Sequence, residues 1–178
     1  MPEEITILTS AALERTLKRM AHEIAERNES PGDVAIVGIQ RRGVFIAARL
    51  AGFLSEILGA PVLLGELDIS LHRDDLAQHA APNVHPTVIP FDVTAKTVVL
   101  VDDVLFSGRT TRAALDALND FGRPRRVQLA VLIDRGHREL PVKADFVGKN
   151  VPTSVRERVH VQLREDGGPD VVTLEKLS

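Results

Sequence analysis

Two adjacent carboxylates, Asp102 and Asp103, follow the aliphatic run Val98-Val99-Leu100-Val101, and the stretch Val104-Leu105-Phe106-Ser107-Gly108-Arg109-Thr110-Thr111 comes directly after them. Acids at the end of a buried strand carry a desolvation cost that calls for a partner. Such a pair suits the hydroxyls of a sugar or a hydrated magnesium ion. The small-residue loop opens onto a helical pattern. It offers unpaired backbone N–H groups, the positive end of a helix dipole, and the hydroxyls of Ser107, Thr110 and Thr111, which together suit a phosphate. A second loop, Gly38-Ile39-Gln40-Arg41-Arg42-Gly43, sets two arginines between glycines, and arginine is also a phosphate-binding side chain. A third loop carries Asp134-Arg135-Gly136-His137-Arg138. A ligand that engages the first two loops at once is a ribose with a phosphate at one end and a diphosphate at the other.

Each loop needs a rigid element on either side. Residues 34–39, 97–101 and 127–133 are short apolar runs that predict buried strands. Residues 44–58 and 110–121 predict the helices that follow the first two, with Gly59 and Gly122 as stops. Residues 9–27 predict an amphipathic helix capped by Thr9 or Ser10, with Leu13, Leu17, Met20, Ala21 and Ile24 as its buried stripe. Residues 62–71 alternate like a strand. The Ala-, His- and Pro-rich stretch that follows makes 68–90 a long irregular segment, as expected of a lid. His79 and His85 within it have no metal-ligand spacing. Short strands are expected near Phe146, at 159–163 and at 171–174, with Gly167-Gly168-Pro169 turning between the last two. Strands alternating with helices predict a mostly parallel sheet covered on both faces, with ligands at the carboxyl ends of its strands.

Composition bounds the class. The 178 residues, 44% hydrophobic and 26% charged, fit one globular domain spanning 1–178. Cysteine is absent, which excludes disulfides and thiolate metal sites. The acidic start Met1-Pro2-Glu3-Glu4 and the lack of a long apolar run predict a cytoplasmic protein with no membrane association. The net charge of −3 hides an asymmetry: residues 109–158 hold 11 Lys/Arg against 6 Asp/Glu. A basic segment in an acidic chain suits phosphate, a nucleic acid or an ordinary solvated surface.

Residues 98–110 resemble the phosphoribosyl-diphosphate (PRPP) signature of the type I phosphoribosyltransferases. Three further runs narrow the resemblance: Leu67-Asp68-Ile69-Ser70-Leu71-His72-Arg73-Asp74-Asp75-Leu76, then residues 131–141 around Asp134-Arg135-Gly136-His137-Arg138-Glu139-Leu140-Pro141, then residues 144–154. Nearly the whole chain, to about Leu163, is similar to the bacterial pyrimidine-operon regulators that double as uracil phosphoribosyltransferases. The resemblance implies an α/β fold of the type I phosphoribosyltransferase kind, a central parallel sheet flanked by helices with a small hood at about 68–90 and C-terminal strands at about 155–178. It implies that uracil and PRPP give UMP and diphosphate, with Mg2+ held through PRPP near Asp102 and Asp103 rather than by a protein cage. Asp102, Asp103, Arg42 and Arg73 would be catalytic. Gln40, Arg41, Arg42 and residues 102–111 would bind PRPP, and Asp68 would contribute from the hood. Asp134, Arg135, Gly136 and His137 would lie on the uracil side.

The same resemblance implies binding to pyr messenger RNA, stimulated by uridine nucleotides (UMP, UTP), through Arg19, His22, Arg27, Arg138, Lys143 and Lys149, and a homodimer or higher oligomer. Three positions depart from the family pattern: Arg41 where Thr is usual, and His72 and Phe106 where Tyr is usual. The alternative reading is a phosphoribosyltransferase for another base with no RNA role.

Overall fold

A computed structural model describes residues 1–28, 30–73 and 85–177. In chain order the elements are β1 (Glu3–Leu8), α1 (Ser10–Arg27), β2 (Val34–Ile39), α2 (Arg42–Leu58), β3 (Leu63–Leu67), β4 (Thr97–Leu105), α3 (Arg109–Leu118), β5 (Arg126–Asp134), β6 (Phe146–Asn150), β7 (Arg158–Gln162) and β8 (Val171–Lys176). Five strands form a parallel sheet in the order β3-β2-β4-β5-β6. All six residues of β2 are buried, as a central parallel strand covered on both faces requires. Val34 and Ile36 pack with α1 and α2, while Val37 and Ile39 pack with α3 on the opposite face.

Helix α1 follows its sequence pattern closely. The side chain of Thr9 accepts a hydrogen bond from the Ala12 amide at 3.3 Å, and the buried stripe is Leu13, Leu17, Met20, Ala21 and Ile24. Helix α2 lies against β2 and β4 at short range. A Cβ on Gly43 would sit 2.4 Å from the Val101 carbonyl oxygen, so only glycine permits this approach.

Four local expectations are revised. Strand β4 runs to Leu105, so Asp102 and Asp103 lie inside the ladder, opposite β5, rather than after its end. Strand β3 stops at Leu67, because the chain then turns into the hood. Helix α2 starts at Arg42, which places this arginine in its first turn. Helix α3 ends at Leu118 and passes into a 3-10 turn over Asn119–Phe121.

Strand β1 had no counterpart in the sequence pattern. It pairs antiparallel with β8, which pairs with β7, giving a second sheet in the order β1-β8-β7. Leu8, Val161, Leu163 and Val172 from this part of the chain share one apolar core with α1, α2 and the main sheet.

Of the lid at 68–90, residues 74–84, including His79, lie outside the described residues. Its two ends are tied together. Glu66 and Val88 exchange backbone hydrogen bonds of 2.8 and 2.9 Å. The Asp68 carboxylate accepts from Ser70 and from the His85 amide, while its own amide donates to Thr87 Oγ1 at 2.9 Å.

Candidate active site and basic surface

The carboxyl ends of β2, β4 and β5 bring the three sequence loops to one edge of the sheet. Asp102 and Asp103 are half-buried there, and neither forms an ion pair with a described residue. The Asp103 amide donates to Asp102 Oδ1 at 2.8 Å, and the Val104 amide to Asp103 Oδ1 at 2.8 Å. Burial, and then the neighbouring Asp103 carboxylate, push Asp102 well above the usual carboxylate range. Among the described residues, no cationic side chain pairs with either acid.

The loop after β4 is built for an anion. Gly108 adopts φ 93°, a conformation that favours glycine, and turns the chain into α3. The first turn of α3 contains no acid, and its N-cap residue, Gly108, has no side chain to cap it. Ser107 and Thr110 border this turn; Ser107 Oγ accepts from the Arg109 amide at 3.3 Å. Thr111 departs from expectation: it is 4% exposed and belongs to the buried side of α3. Val104 is half-buried and Leu105 buried against the two faces of the core, which leaves their backbone to serve the loop. The loop is braced from the next one, since Glu139 and Leu140 amides donate to the Ser107 carbonyl at 2.9 and 3.1 Å, and Arg109 pairs with Glu139 at 2.8 Å.

The arginine loop contains a cis peptide between Gln40 and Arg41, and the Gln40 amide donates to the Leu67 carbonyl at 2.9 Å. Arg41 and Arg42 both reach Asp166, at 3.3 and 3.1 Å. Asp166 belongs to a 3-10 turn between β7 and β8 and was not singled out in the sequence. The only local signal was an acidic Glu165-Asp166 pair before Gly167-Gly168. Nearby, Arg49 pairs with Glu165 and with Asp170, and the hydrogen bonds from Arg49 hold the Asp170 carboxyl below its ordinary range.

On the third loop the side chains take structural roles. Arg135 is 8% exposed; it donates to Thr153 Oγ1 and to the Ser154 and Glu157 carbonyls at 3.1, 3.0 and 2.8 Å. Its guanidinium lies over the Phe106 ring at 4.3 Å, and burial lowers its pKa from the ordinary arginine value. It therefore faces the protein, not a base. Asp134 accepts from the Gly136 amide at 3.0 Å and pairs with Arg138 at 2.6 Å. Gly136 and His137 have φ of 80° and 66°, and the His137 ring meets the Thr153 carbonyl and the edge of Phe106. His72, the other departure from the family pattern, lies 3.5 Å from Asp120.

The basic residues divide. Arg138 is corrected from a surface contact to a brace: it donates to the Val142 and Phe106 carbonyls at 3.0 and 2.9 Å besides pairing with Asp134. Arg19 pairs with Glu23 and donates to the Gly148 carbonyl, joining α1 to β6. Arg27 pairs with Asp145 at 3.5 Å. His22, Lys143 and Lys149 are exposed and form no hydrogen bond or ion pair with a described residue. Arg19, His22 and Arg27 lie along α1, and Lys149 lies on the edge strand β6, next in the chain to the Gly148 carbonyl that Arg19 reaches. No group of three or more His, Cys, Asp or Glu is placed to hold a metal among the described residues. No helix among them is long and apolar enough to cross a membrane.

A family model described as a phosphoribosyl transferase domain matches residues 6–164. The chain is 62% identical over 171 residues to the bifunctional protein PyrR of Roseiflexus sp. (strain RS-1), covering 95% of this chain and 93% of that one. It is 52% identical over 177 residues to the bifunctional protein PyrR of Bacillus mycoides (strain KBAB4), covering 98% of each. Among solved structures, a hypoxanthine phosphoribosyltransferase from Staphylococcus aureus superposes with a TM-score of 0.70 at 16% identity, over 98% of this chain and 92% of that one. At that identity the likeness concerns the fold.

Proposed function

The chain belongs to the phosphoribosyltransferase family, among the bifunctional PyrR proteins, and on that premise we propose that it transfers the phosphoribosyl group of PRPP to uracil and regulates pyr genes by binding their messenger RNA. The observation that carries the catalytic half is the pair Asp102 and Asp103, half-buried, in no ion pair with a described residue, and beside the N-terminus of α3. A ribose held there brings donors to the acids and a phosphate to the helix.

In the reaction a uracil nitrogen attacks C1 of the ribose and diphosphate leaves. The work is positioning and electrostatics around an oxocarbenium-like centre and a highly charged leaving group. Asp102 and Asp103 take the ribose hydroxyls. The amides of 107–111 with the hydroxyls of Ser107 and Thr110 take the 5-phosphate. Arg41 and Arg42 turn from Asp166 to the diphosphate, and Arg73 closes from the hood with water excluded. The backbone of 134–137 reads the base edge, since the Arg135 side chain is committed elsewhere. The acidic pair fits Mg2+ held mainly by PRPP and water, which neutralises the leaving diphosphate when bound. UMP and UTP share the site as regulators.

RNA binding uses Arg19, His22, Arg27, Lys143 and Lys149 through phosphate contacts. The chain acts in the cytoplasm as a homodimer or larger oligomer. An assay of diphosphate release from PRPP with uracil, beside binding of a pyr leader transcript with and without UMP, tests both halves. Release with hypoxanthine instead of uracil favours the alternative base.

A further inference from the structure

The parallel sheet has a second open edge, at the amino ends of its strands, far from the substrate loops. Val34, Thr97 and Arg126 begin β2, β4 and β5 and lie side by side in one row of the sheet. In front of them is a cavity of about 350 Å3 whose rim carries three arginines, Arg27, Arg125 and Arg126, with Asn28 and Ser30 between them.

The walls are pre-set. Asn28 Nδ2 donates to the Ile24 carbonyl and to Gln128 Oε1 at 3.0 and 2.9 Å, and an Arg125 guanidinium nitrogen donates to Thr97 Oγ1 at 3.3 Å. Among the described residues, one ion pair compensates the three arginines. Arg125 and Arg126 form no ion pair with a described residue. Arg27 has Asp145 at 3.5 Å, but more than half of its side chain is exposed, so the pair is weak and readily exchanged for a phosphate. Other acids close in sequence are Glu26, Asp33 and Glu29, the last lying outside the described residues.

The lining contains no aromatic ring, and its one aliphatic side chain, Val34, is buried in the core. A site for a free nucleotide would offer a surface for the base; this one offers three guanidinium groups and small polar side chains, which suit a phosphate. Arg27 belongs both to this cavity and to the basic face of α1, whose Arg19 lies eight residues, or about 12 Å, up the helix.

We propose that the amino-edge cleft of Arg27, Arg125 and Arg126 binds backbone phosphates of RNA, so that the bound strand runs from the Arg19–Lys149 surface past Arg27 and around the end of the sheet. The inference rests on the RNA-binding reading above and extends it from Arg27 to Arg125 and Arg126, which that reading did not use.

The test is binding of a pyr leader transcript over a range of salt concentrations. The proteins are the wild type, R125A/R126A, R125K/R126K and R158A/K176A, the last removing equal charge from the small sheet. The double alanine variant should bind about tenfold more weakly, and its slope of log affinity against log salt should be shallower by about 1 to 2. The double lysine variant should recover most of both, and R158A/K176A should match the wild type. The lysine pair also covers a failure of the alanine pair to fold, which thermal melting reveals. A wild-type slope in R125A/R126A, with R19A still weakened, overturns the proposal and leaves the RNA reading standing. Loss of inorganic phosphate binding by calorimetry in R125A/R126A, with RNA affinity unchanged, also overturns it and makes the cleft a small-anion site. No transcript binding by the wild type overturns the RNA reading and the proposal together.

Discussion

At the residue scale the site turns on Asp102. Its pKa is raised by burial and by Asp103, so it stabilises the fold only while it is protonated. That contribution is complete below the unfolded value of about 4 and is lost as pH rises through the raised folded value. D102N removes the penalty. We expect it to raise Tm by about 3 °C at pH 8, with the gain fading towards pH 4, in calorimetric scans. The same variant should lose about 100-fold in kcat/KM for PRPP. A variant both less stable and fully active would mean that the pair is structural. The acids and the glycine loop were legible in the sequence because a buried strand rarely carries two charges. The roles of Arg135 and Arg138 were not, because a basic loop residue reads as exposed until its carbonyl partners at Ser154, Glu157, Phe106 and Val142 are in place.

At the element scale, helix α2 and its preceding loop link the main sheet to the turn between β7 and β8. Gly43 permits the approach of α2 to β4. G43A should cost about 2 kcal/mol, measured by urea denaturation, because its Cβ meets backbone that cannot rotate away. At the other side of the loop Asp166 competes for the arginines assigned to the diphosphate. D166N should lower the PRPP KM by about threefold and leave kcat nearly unchanged, since a partly exposed ion pair contributes about 1 kcal/mol or less. An unchanged KM would show that Arg41 and Arg42 do not meet PRPP. This contact was hidden in the sequence, where residues 41 and 166 are far apart. The strand–loop–helix pattern of β2 and α2 was plain from periodicity and Gly59.

At the scale of the molecule the sheet has two chemically distinct ends. The carboxyl ends hold acids and an anion loop, and the amino ends hold an arginine cleft. Between them the sheet carries an apolar core on each face, and β1, β7 and β8 pack into the one shared with α1 and α2. The parallel sheet could be anticipated from alternating strands and helices. The pairing of β1 with β8 could not, since a short polar-faced strand at one end of the chain finds its partner only in three dimensions. Because the small sheet shares that core, thermal unfolding should show a single transition, with matching calorimetric and van't Hoff enthalpies. Two separated transitions would mean that the small sheet folds independently.

The most direct test is the uracil-dependent release of diphosphate from PRPP in the presence of Mg2+, followed by chromatographic identification of the nucleotide formed. Uracil phosphoribosyl transfer at this site requires stoichiometric UMP from the wild type and a loss of about 100-fold in D102N. Release that does not depend on uracil, or that proceeds only with a purine, would contradict it.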